Sequence, residues 1–432
     1  MIRKMIVAGA ILLALVSAAP AWVVAQEKQE QPCYRTVEFD RVANEKSPQQ
    51  RAKMWEDFVT QFPGSCLLPY VYQGAFSTYN ELKNLHKSIE YADKLLALGE
   101  KIDLGTRVQA SYIRSYNFHQ VFNAQAPDAD EQARRAREAA LQGAELIGKL
   151  AKPDNMTPEQ FEQQKAPPLA LFYYTAGFAA LHLKQYSAAI ESFRSALANN
   201  PNDAVTYFRM GVAYLQMDPP QHMNGFWALA RSVALKGPGE AQVRTYLRGQ
   251  VIRYQGGTVC EKETDPQLNE LLTLAASSAE RPAGYTIPGV AALDAARRNP
   301  EWLGVLRNGG EQAKVTWLAM CGLEFPEVYA RVFEVAPNDT SINLRIYTGT
   351  TPEDMEAATG PNCEVKVNSQ PLAANFQKDD YFRFAGTLAN YSPDPFLLTW
   401  DNAKINPEDL PAEKSATPVK RGKRPPTKRV GR

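Results

Sequence analysis

Residues 170–203, ALFYYTAGFAALHLKQYSAAIESFRSALANNPND, decide the fold of this 432-residue chain. The small and aromatic residues of this stretch are placed as in a single helix–turn–helix unit of about 34 residues. On the first predicted helix, Gly177 and Ala180 are small enough for a second helix to approach closely. The large residue of the first helix, the stripe on the second helix and the closing proline are Tyr173, Ala189, Phe193, Ala196 and Pro201.

The following segment repeats the pattern at the same offsets. Its second helix is predicted over residues 225–235, after the turn Asp218-Pro219-Pro220. The two units resemble the tetratricopeptide repeat (TPR). Because one helical pair cannot bury its apolar face alone, the resemblance implies a stacked solenoid that binds a partner. The residues that match the first unit are Tyr207, Met210, Gly211 and Tyr214.

Weaker copies of the repeat precede these two, so residues 47–257 are assigned to TPR-like helical repeats. A helix is expected to begin at Ser47-Pro48, and another over residues 240–254 ends the array. Residues 152–168 are polar and contain several prolines, which predicts a loop. Residues 258–310 still have helical periodicity between proline interruptions and are assigned to a helical connector.

The N-terminus resembles an export signal. Arg3 and Lys4 precede an apolar run, and small residues at Val23 and Ala25 suit cleavage before Gln26, so residues 1–25 are predicted to be a signal peptide. The alternative is an uncleaved anchor, since the apolar run is nearly long enough to span a bilayer. Residues 26–46 are polar and irregular. The protein is therefore expected to be exported, to the periplasm or the extracellular space, or else anchored to the membrane.

The C-terminal part changes from helical to alternating periodicity after Gly309-Gly310. The fold class is accordingly mainly α, a TPR-like α-solenoid followed by a small β-barrel domain over residues 311–410. The order of its pieces resembles an OB-fold of the anticodon-binding-like kind, with a short or missing helix between the third and fourth strands; a plain sandwich remains the alternative. The five predicted strands cover residues 328–335, 342–347, 363–367, 381–388 and 396–400.

The last segment, residues 411–432, is basic and proline-rich and is not expected to bury a core. The formal net charge of +1 includes two cations in residues 1–25 and eight in residues 414–432, so residues 26–413 carry about −9. The basic segment is interpreted either as a solubilising end or as a contact for an anionic polymer of the cell envelope.

In the TPR family the inner surface is lined by fixed positions of each first helix, which the resemblance transfers to this chain. The two clear repeats give an apolar lining and the weaker ones a polar to basic lining. Aromatic and Arg side chains dominate binding energy at protein interfaces, so they are the predicted anchors. The alternative is that the aromatic residues are core. The predicted partner-binding residues are Arg107, Arg114, Tyr174, Phe178, Phe208 and Val212.

Five cysteines suit an oxidising compartment and leave at least one unpaired thiol. The first pairs to test are Cys33 with Cys66 and Cys321 with Cys363, because each stays within one predicted unit. The four histidines show no metal-ligand spacing, and no nucleophile, zinc or phosphate-binding motif is present. No catalytic residue, metal or cofactor is therefore assigned.

These features predict an exported, non-catalytic scaffold that binds a protein or peptide partner of the cell envelope through a TPR groove. Nucleic acid is disfavoured, because only Arg331, Arg345 and Arg383 are interleaved with the aromatic residues of the barrel. The alternative function is an envelope ligand-binding module, in which the barrel and the basic segment take a polysaccharide or nucleic acid.

Overall fold

Sixteen α-helices and five β-strands form the part of the chain that the computed structural model describes, residues 36–257, 260–337, 341–349 and 351–413. The predicted signal peptide, Cys33 and residues 414–432 lie outside these ranges. Across these ranges no helix is both long enough and apolar enough to cross a membrane. The described residues divide into two compact units, one made of residues up to Gly249 with Asn269–Tyr285 and the other of Gln250–Leu268 with Thr286 onward.

The first unit contains ten complete helices and parts of two more that extend into the second unit along the chain. Ser47 accepts a hydrogen bond from the backbone N–H of Gln50 and begins the second helix, as the Ser47-Pro48 sequence predicts. The helices are α1 Thr36–Ala43, α2 Pro48–Gln61, α3 Leu68–Glu81, α4 Leu85–Leu96, α5 Leu104–Val121, α6 Ala129–Gly148, α7 Pro158–His182, α8 Tyr186–Asn199, α9 Ala204–Gln216, α10 His222–Ala234, α11 Glu240–Tyr254 and α12 Glu261–Ser277.

Helices α3 to α10 pack as four consecutive pairs, and each second helix also packs on the first helix of the next pair. This packing is the TPR-like solenoid that the repeats predict. The small residues act as expected: a Cβ atom on Gly177 would lie 2.6 Å from Cδ1 of the buried Phe193, and one on Gly211 would lie 2.8 Å from Cγ of Leu229. Glycine therefore permits the close approach of the two helices in the pairs α7/α8 and α9/α10.

The turns inside the first and third pairs share one geometry. Lys83 and Lys184 have φ angles of 60° and 58°, in the left-handed region. The N–H of the next residue donates to a carbonyl of the preceding helix in both turns, from Asn84 to Tyr79 and from Gln185 to Ala180. These are the hydrogen bonds of a Schellman motif, so the degenerate and the clear repeat end their first helices in the same way.

The loop predicted over residues 152–168 is wrong in its C-terminal part. Helix α7 begins at Pro158, because Thr157 and Gln160 form a reciprocal capping box and Pro158 occupies the first turn. The helix then continues for 25 residues through Pro167 and Pro168. These prolines remove backbone donors near the middle of a long helix, and the prediction overestimated that loss relative to the strong start signal.

The second unit ends in a closed five-stranded barrel with the strand order β1-β2-β3-β5-β4. β3 and β5 are parallel, and the other neighbouring strands are antiparallel. All five predicted strands are present, and the predicted barrel is confirmed. The elements are α13 Val290–Arg297, α14 Trp302–Asn308, α15 Gly310–Met320, β1 Glu324–Pro337, β2 Ile342–Tyr347, α16 Pro352–Ala357, β3 Cys363–Val367, β4 Tyr381–Pro393 and β5 Phe396–Ile405.

The β-structure was expected to begin directly after Gly309-Gly310, but a further helix, α15, precedes the first strand. Gly309 and Gly310 have φ angles of 71° and 79°, so they form a turn that only glycine adopts freely, and α15 follows it. A short 3-10 helix, Pro371–Asn375, occupies the expected place between β3 and β4. The barrel core includes the fully buried Trp400 and Phe384.

The predicted disulfide between Cys321 and Cys363 is also wrong. Cys321 pairs with Cys260, with Cα atoms 5.3 Å apart. Cys363 is the first residue of β3 and points into the barrel core, where burial raises the pKa of its thiol to about 12. Cys66 is disulfide-bonded, and Cys33, its predicted partner, lies outside the described residues.

Candidate partner-binding site

The predicted site residues lie on the first helices of three consecutive pairs. Arg107 and Arg114 are on α5, Tyr174 and Phe178 on α7, and Phe208 and Val212 on α9. Helix α7 contacts both α5 and α9, so side chains of all three helices can meet on one side of the array.

Four side chains form one cluster at the meeting point of these helices, here called the aromatic–arginine cluster: His119, Tyr174, Phe178 and Arg209. The His119 ring centroid lies 4.8 Å from that of Tyr174 and 5.2 Å from that of Phe178. The Arg209 guanidinium carbon lies 4.5 Å from the Phe178 ring centroid, within cation–π range. All four side chains are half-buried, so the cluster keeps a solvent-accessible side.

His119 is held as a neutral imidazole. Its Nε2 lies 2.8 Å from Oγ1 of Thr175, whose own hydroxyl donates to the Leu171 carbonyl. The Thr175 oxygen is thus left to accept, which places the imidazole proton on Nε2. Burial, helped by the Arg209 charge, lowers the pKa of His119 to about 4. The guanidinium of Arg209 is therefore the only charge of the cluster at neutral pH.

Arg209 has no acidic partner in the described ranges. Its Nε is buried without a hydrogen-bond partner, and its guanidinium faces the Phe178 ring and the Tyr174 hydroxyl. Burial raises the pKa of Tyr174 although the Arg209 charge opposes the rise, so this phenol is neutral as well. A half-buried guanidinium whose Nε has no partner carries a desolvation cost, and an incoming carboxylate would offset that cost.

The two predicted arginines of α5 differ from each other. Arg114 is 3% exposed, and its Nε lies 2.5 Å from Oδ1 of Asp93, so its charge is already paired inside the unit. Arg107 is half-buried, and its Nε has no hydrogen-bond partner. Arg107 precedes His119 by three turns, about 18 Å along the helix axis, so the structure does not bring it into the cluster.

The predicted residues of α9 lie beside the cluster. Phe208 makes its ring contact with Tyr246 of α11, with centroids 6.3 Å apart, and not with Tyr174 or Phe178. Phe208 and Val212 are one turn apart on α9, and both are half-buried. They form a second apolar step along the same helices, next to Arg209.

Two cluster residues, His119 and Arg209, were missed by sequence reasoning. The TPR resemblance points only to fixed positions of each first helix. Arg209 comes directly after one such position, Phe208, and His119 comes after the last such position on α5, Arg114. Helix α5 is 18 residues long, and this length carries His119 to a position opposite Thr175 of α7.

The arginines of the barrel are matched by carboxylates. Arg331 lies 2.7 Å from Asp379, measured between nitrogen and oxygen. Each of the other two predicted cations is also paired, Arg345 with Glu364 at 3.2 Å and Arg383 with Asp409 at 2.9 Å. A carboxylate therefore offsets the charge of each of these three arginines.

No protein-family model and no curated protein matches the chain. Among solved structures, the chain is similar to MamA, residue 41 to the end, from Desulfovibrio magneticus RS-1, with 18% identity over 49% of this chain and 94% of that one and a TM-score of 0.32. It is also similar to the C-terminal part of a TPR repeat-containing protein from Cytophaga hutchinsonii, with 14% identity over 55% and 90% and a TM-score of 0.22. The repeat assignment rests on the helix packing described above.

Proposed function

We propose that the protein is an exported, non-catalytic scaffold that binds a protein or peptide partner on its aromatic–arginine cluster. The observation that carries this proposal is the Arg209 guanidinium, which lies on the Phe178 ring with a buried, unpaired Nε. The partner segment presents an apolar or aromatic side chain to Tyr174 and Phe178 and a carboxylate to Arg209. Charge-assisted hydrogen bonds to a guanidinium are the strong ones, and buried aromatic anchors supply most interface energy.

The remaining predicted residues extend this surface. Phe208 and Val212 offer an apolar surface next to Arg209, and Arg107 offers a second guanidinium with an unpaired Nε, about 18 Å from His119 along the axis of α5. A partner segment that reaches both arginines therefore carries a second acidic position in addition to the one that meets Arg209. Arg114, paired with Asp93, is assigned to the stability of the array and not to the partner.

Export is supported by two independent features. Residues 1–25 have the composition of a signal peptide, and the Cys260–Cys321 disulfide suits an oxidising compartment. We also assign the barrel to the OB-like class, because a closed order with β3 parallel to β5 is that of a five-stranded Greek-key barrel. The ion-paired barrel arginines favour a protein contact for it over nucleic acid.

The test is selection of binding peptides from a random library on the full chain, followed by affinity measurement with purified variants. The selected peptides are expected to share an aromatic or large apolar residue near Asp or Glu. Arg209→Gln is expected to weaken their binding about tenfold or more, as for an interface hot spot. Arg135→Gln is the matched control, because Arg135 lies on α6, outside the cluster, and its side chain is 63% exposed.

Equal affinity of the Arg209→Gln variant and the wild type, with unchanged circular dichroism, would overturn the proposal. Selected peptides without acidic residues would contradict the role of the guanidinium. Binding that is lost only when the barrel is altered would move the function to the barrel.

A further inference from the structure

Two tyrosines on the barrel surface are among the most exposed large hydrophobic side chains of the described residues. Tyr329 on β1 is 54% exposed and Tyr381 on β4 is 51% exposed. The strands are neighbours, with Tyr329 opposite Arg383 and Arg331 opposite Tyr381. Side chains alternate along a strand, so all four point outward. These four residues are here called the tyrosine face; the intervening residues, Ala330 and Phe382, are buried in the barrel core.

The tyrosine face is bordered by more acids than its two arginines neutralise. Arg383 alone is ion-paired with three carboxylates, and the side chain of one of them, Glu408, is 81% exposed. Asp379, the partner of Arg331, has a 53% exposed side chain. The four bordering carboxylates therefore leave a net negative charge beside two open aromatic rings. They are Glu327, Asp379, Glu408 and Asp409.

The net charge of the sequence is also distributed unevenly, with negative charge in the barrel and positive charge after it. Residues 324–413 contain fifteen acidic and six basic residues, a net charge of −9. Residues 26–323 contain 32 of each and are neutral. Residues 414–432 contain eight Lys and Arg, two consecutive prolines and no acid. The negative charge of the mature chain therefore lies in the barrel sequence, and a cationic segment of nearly equal magnitude follows it directly.

The described chain ends beside the tyrosine face. Asp409 accepts hydrogen bonds from the backbone N–H and the side chain of Arg383. Three residues later, the Ala412 carbonyl accepts from Asn375 at 3.3 Å. Residues 414–432 begin after this point and reach at most about 65 Å when extended, which is more than the width of a small barrel.

We propose that residues 414–432 bind the tyrosine face of their own chain. Lys and Arg side chains lie on the rings of Tyr329 and Tyr381 and meet the exposed carboxylates of Asp379 and Glu408. Each such contact is weak alone, but a tether that starts beside the face gives a high effective concentration. The cationic segment is then engaged inside the molecule, and an anionic polymer must compete with the barrel to bind it.

The experiment is zero-length carbodiimide cross-linking of the full chain, read by mass spectrometry. Lysines of residues 414–432 are expected to link to Asp379, Glu408 and Glu327, and about 1 M NaCl is expected to abolish these links. Combined Tyr329→Ser and Tyr381→Ser substitution is expected to reduce the links about threefold. Tyr70→Ser is the matched control, because Tyr70 is 43% exposed on α3 and belongs to the other unit.

Three results would overturn the proposal. Links from these lysines spread evenly over the acids of α1 to α10 would show no preference for the barrel. In a mixture of isotopically light and heavy protein, links found only between a light and a heavy chain would show that the segment binds a second copy of the protein. Links that the tyrosine substitutions leave unchanged would show that the rings take no part.

Discussion

At the scale of single residues, His119 couples stability to pH. Its folded pKa of about 4 is below the usual value of about 6.5, so the unfolded chain binds the extra proton between these values. The contribution of His119 to the free energy of unfolding is fully present above about pH 6.5 and is lost as the pH falls toward 4. Lowering the pH from about 7.5 to about 5 is expected to cost about 1–2 kcal/mol of unfolding free energy through this residue.

Denaturant unfolding of the wild type and of His119→Gln at both pH values measures this cost. The His119→Gln variant is expected to lose that part of the pH dependence, and His86→Gln, an exposed control, is expected to keep it. An identical pH dependence in the wild type and in His119→Gln would show that folding does not lower the pKa of His119.

Lys184 is a second residue whose environment allows a prediction. Its φ angle of 58° is unfavourable for a residue with a Cβ atom. Lys184→Gly is therefore expected to raise the unfolding free energy by about 0.5–1 kcal/mol, net of the greater freedom of glycine in the unfolded chain. Lys149 ends α6 with a φ angle of −91°, so Lys149→Gly is the control and is expected to give no gain. Thermal or denaturant unfolding compares the two.

At the scale of elements, Gly177 controls the packing of α7 on α8. Alanine has the higher helix propensity by about 1 kcal/mol, yet its Cβ would lie 2.6 Å from the ring of the fully buried Phe193. The clash is expected to win, so Gly177→Ala should lower the unfolding free energy by about 1–3 kcal/mol. A Cβ atom added to Gly249 in α11 would meet no other atom within 4 Å, so Gly249→Ala should be neutral or stabilising. Equal effects of the two substitutions on denaturant unfolding would show that α7 and α8 are farther apart than this contact requires.

The elements also show which features the sequence makes visible. The pairs α7/α8 and α9/α10 and all five strands were predictable, because small, aromatic and alternating residues report local periodicity. The start of α7 and the whole of α15 were not, because proline and glycine were interpreted as stops although they also occur where a helix begins. Half of the cluster was predictable, namely Tyr174 and Phe178. His119 was not, since its contact with Thr175 joins residues 56 positions apart.

At the scale of the whole molecule, the disulfide between Cys260 and Cys321 lies in the second unit. Cys260 and Cys321 are separated by 61 residues, and both are buried in the same core as the barrel. A cross-link of this span limits the unfolded chain, and its removal typically costs about 2–4 kcal/mol. Cys363, in contrast, contributes only a buried thiol to that core.

Combined Cys260→Ser and Cys321→Ser substitution is therefore expected to accelerate hydrogen exchange of the amides in β1 to β5 more than that of the amides in α7 to α10. The reason is that the bond and its neighbours belong to the barrel core, whereas α7 to α10 have clusters of their own. Cys363→Ala, which removes a core sulfur and leaves the bond intact, is the control and is expected to have the smaller effect. Non-reducing peptide mapping checks the pairing itself: a peptide that links Cys321 to Cys363 would contradict the structure, and so would a larger exchange effect from Cys363→Ala.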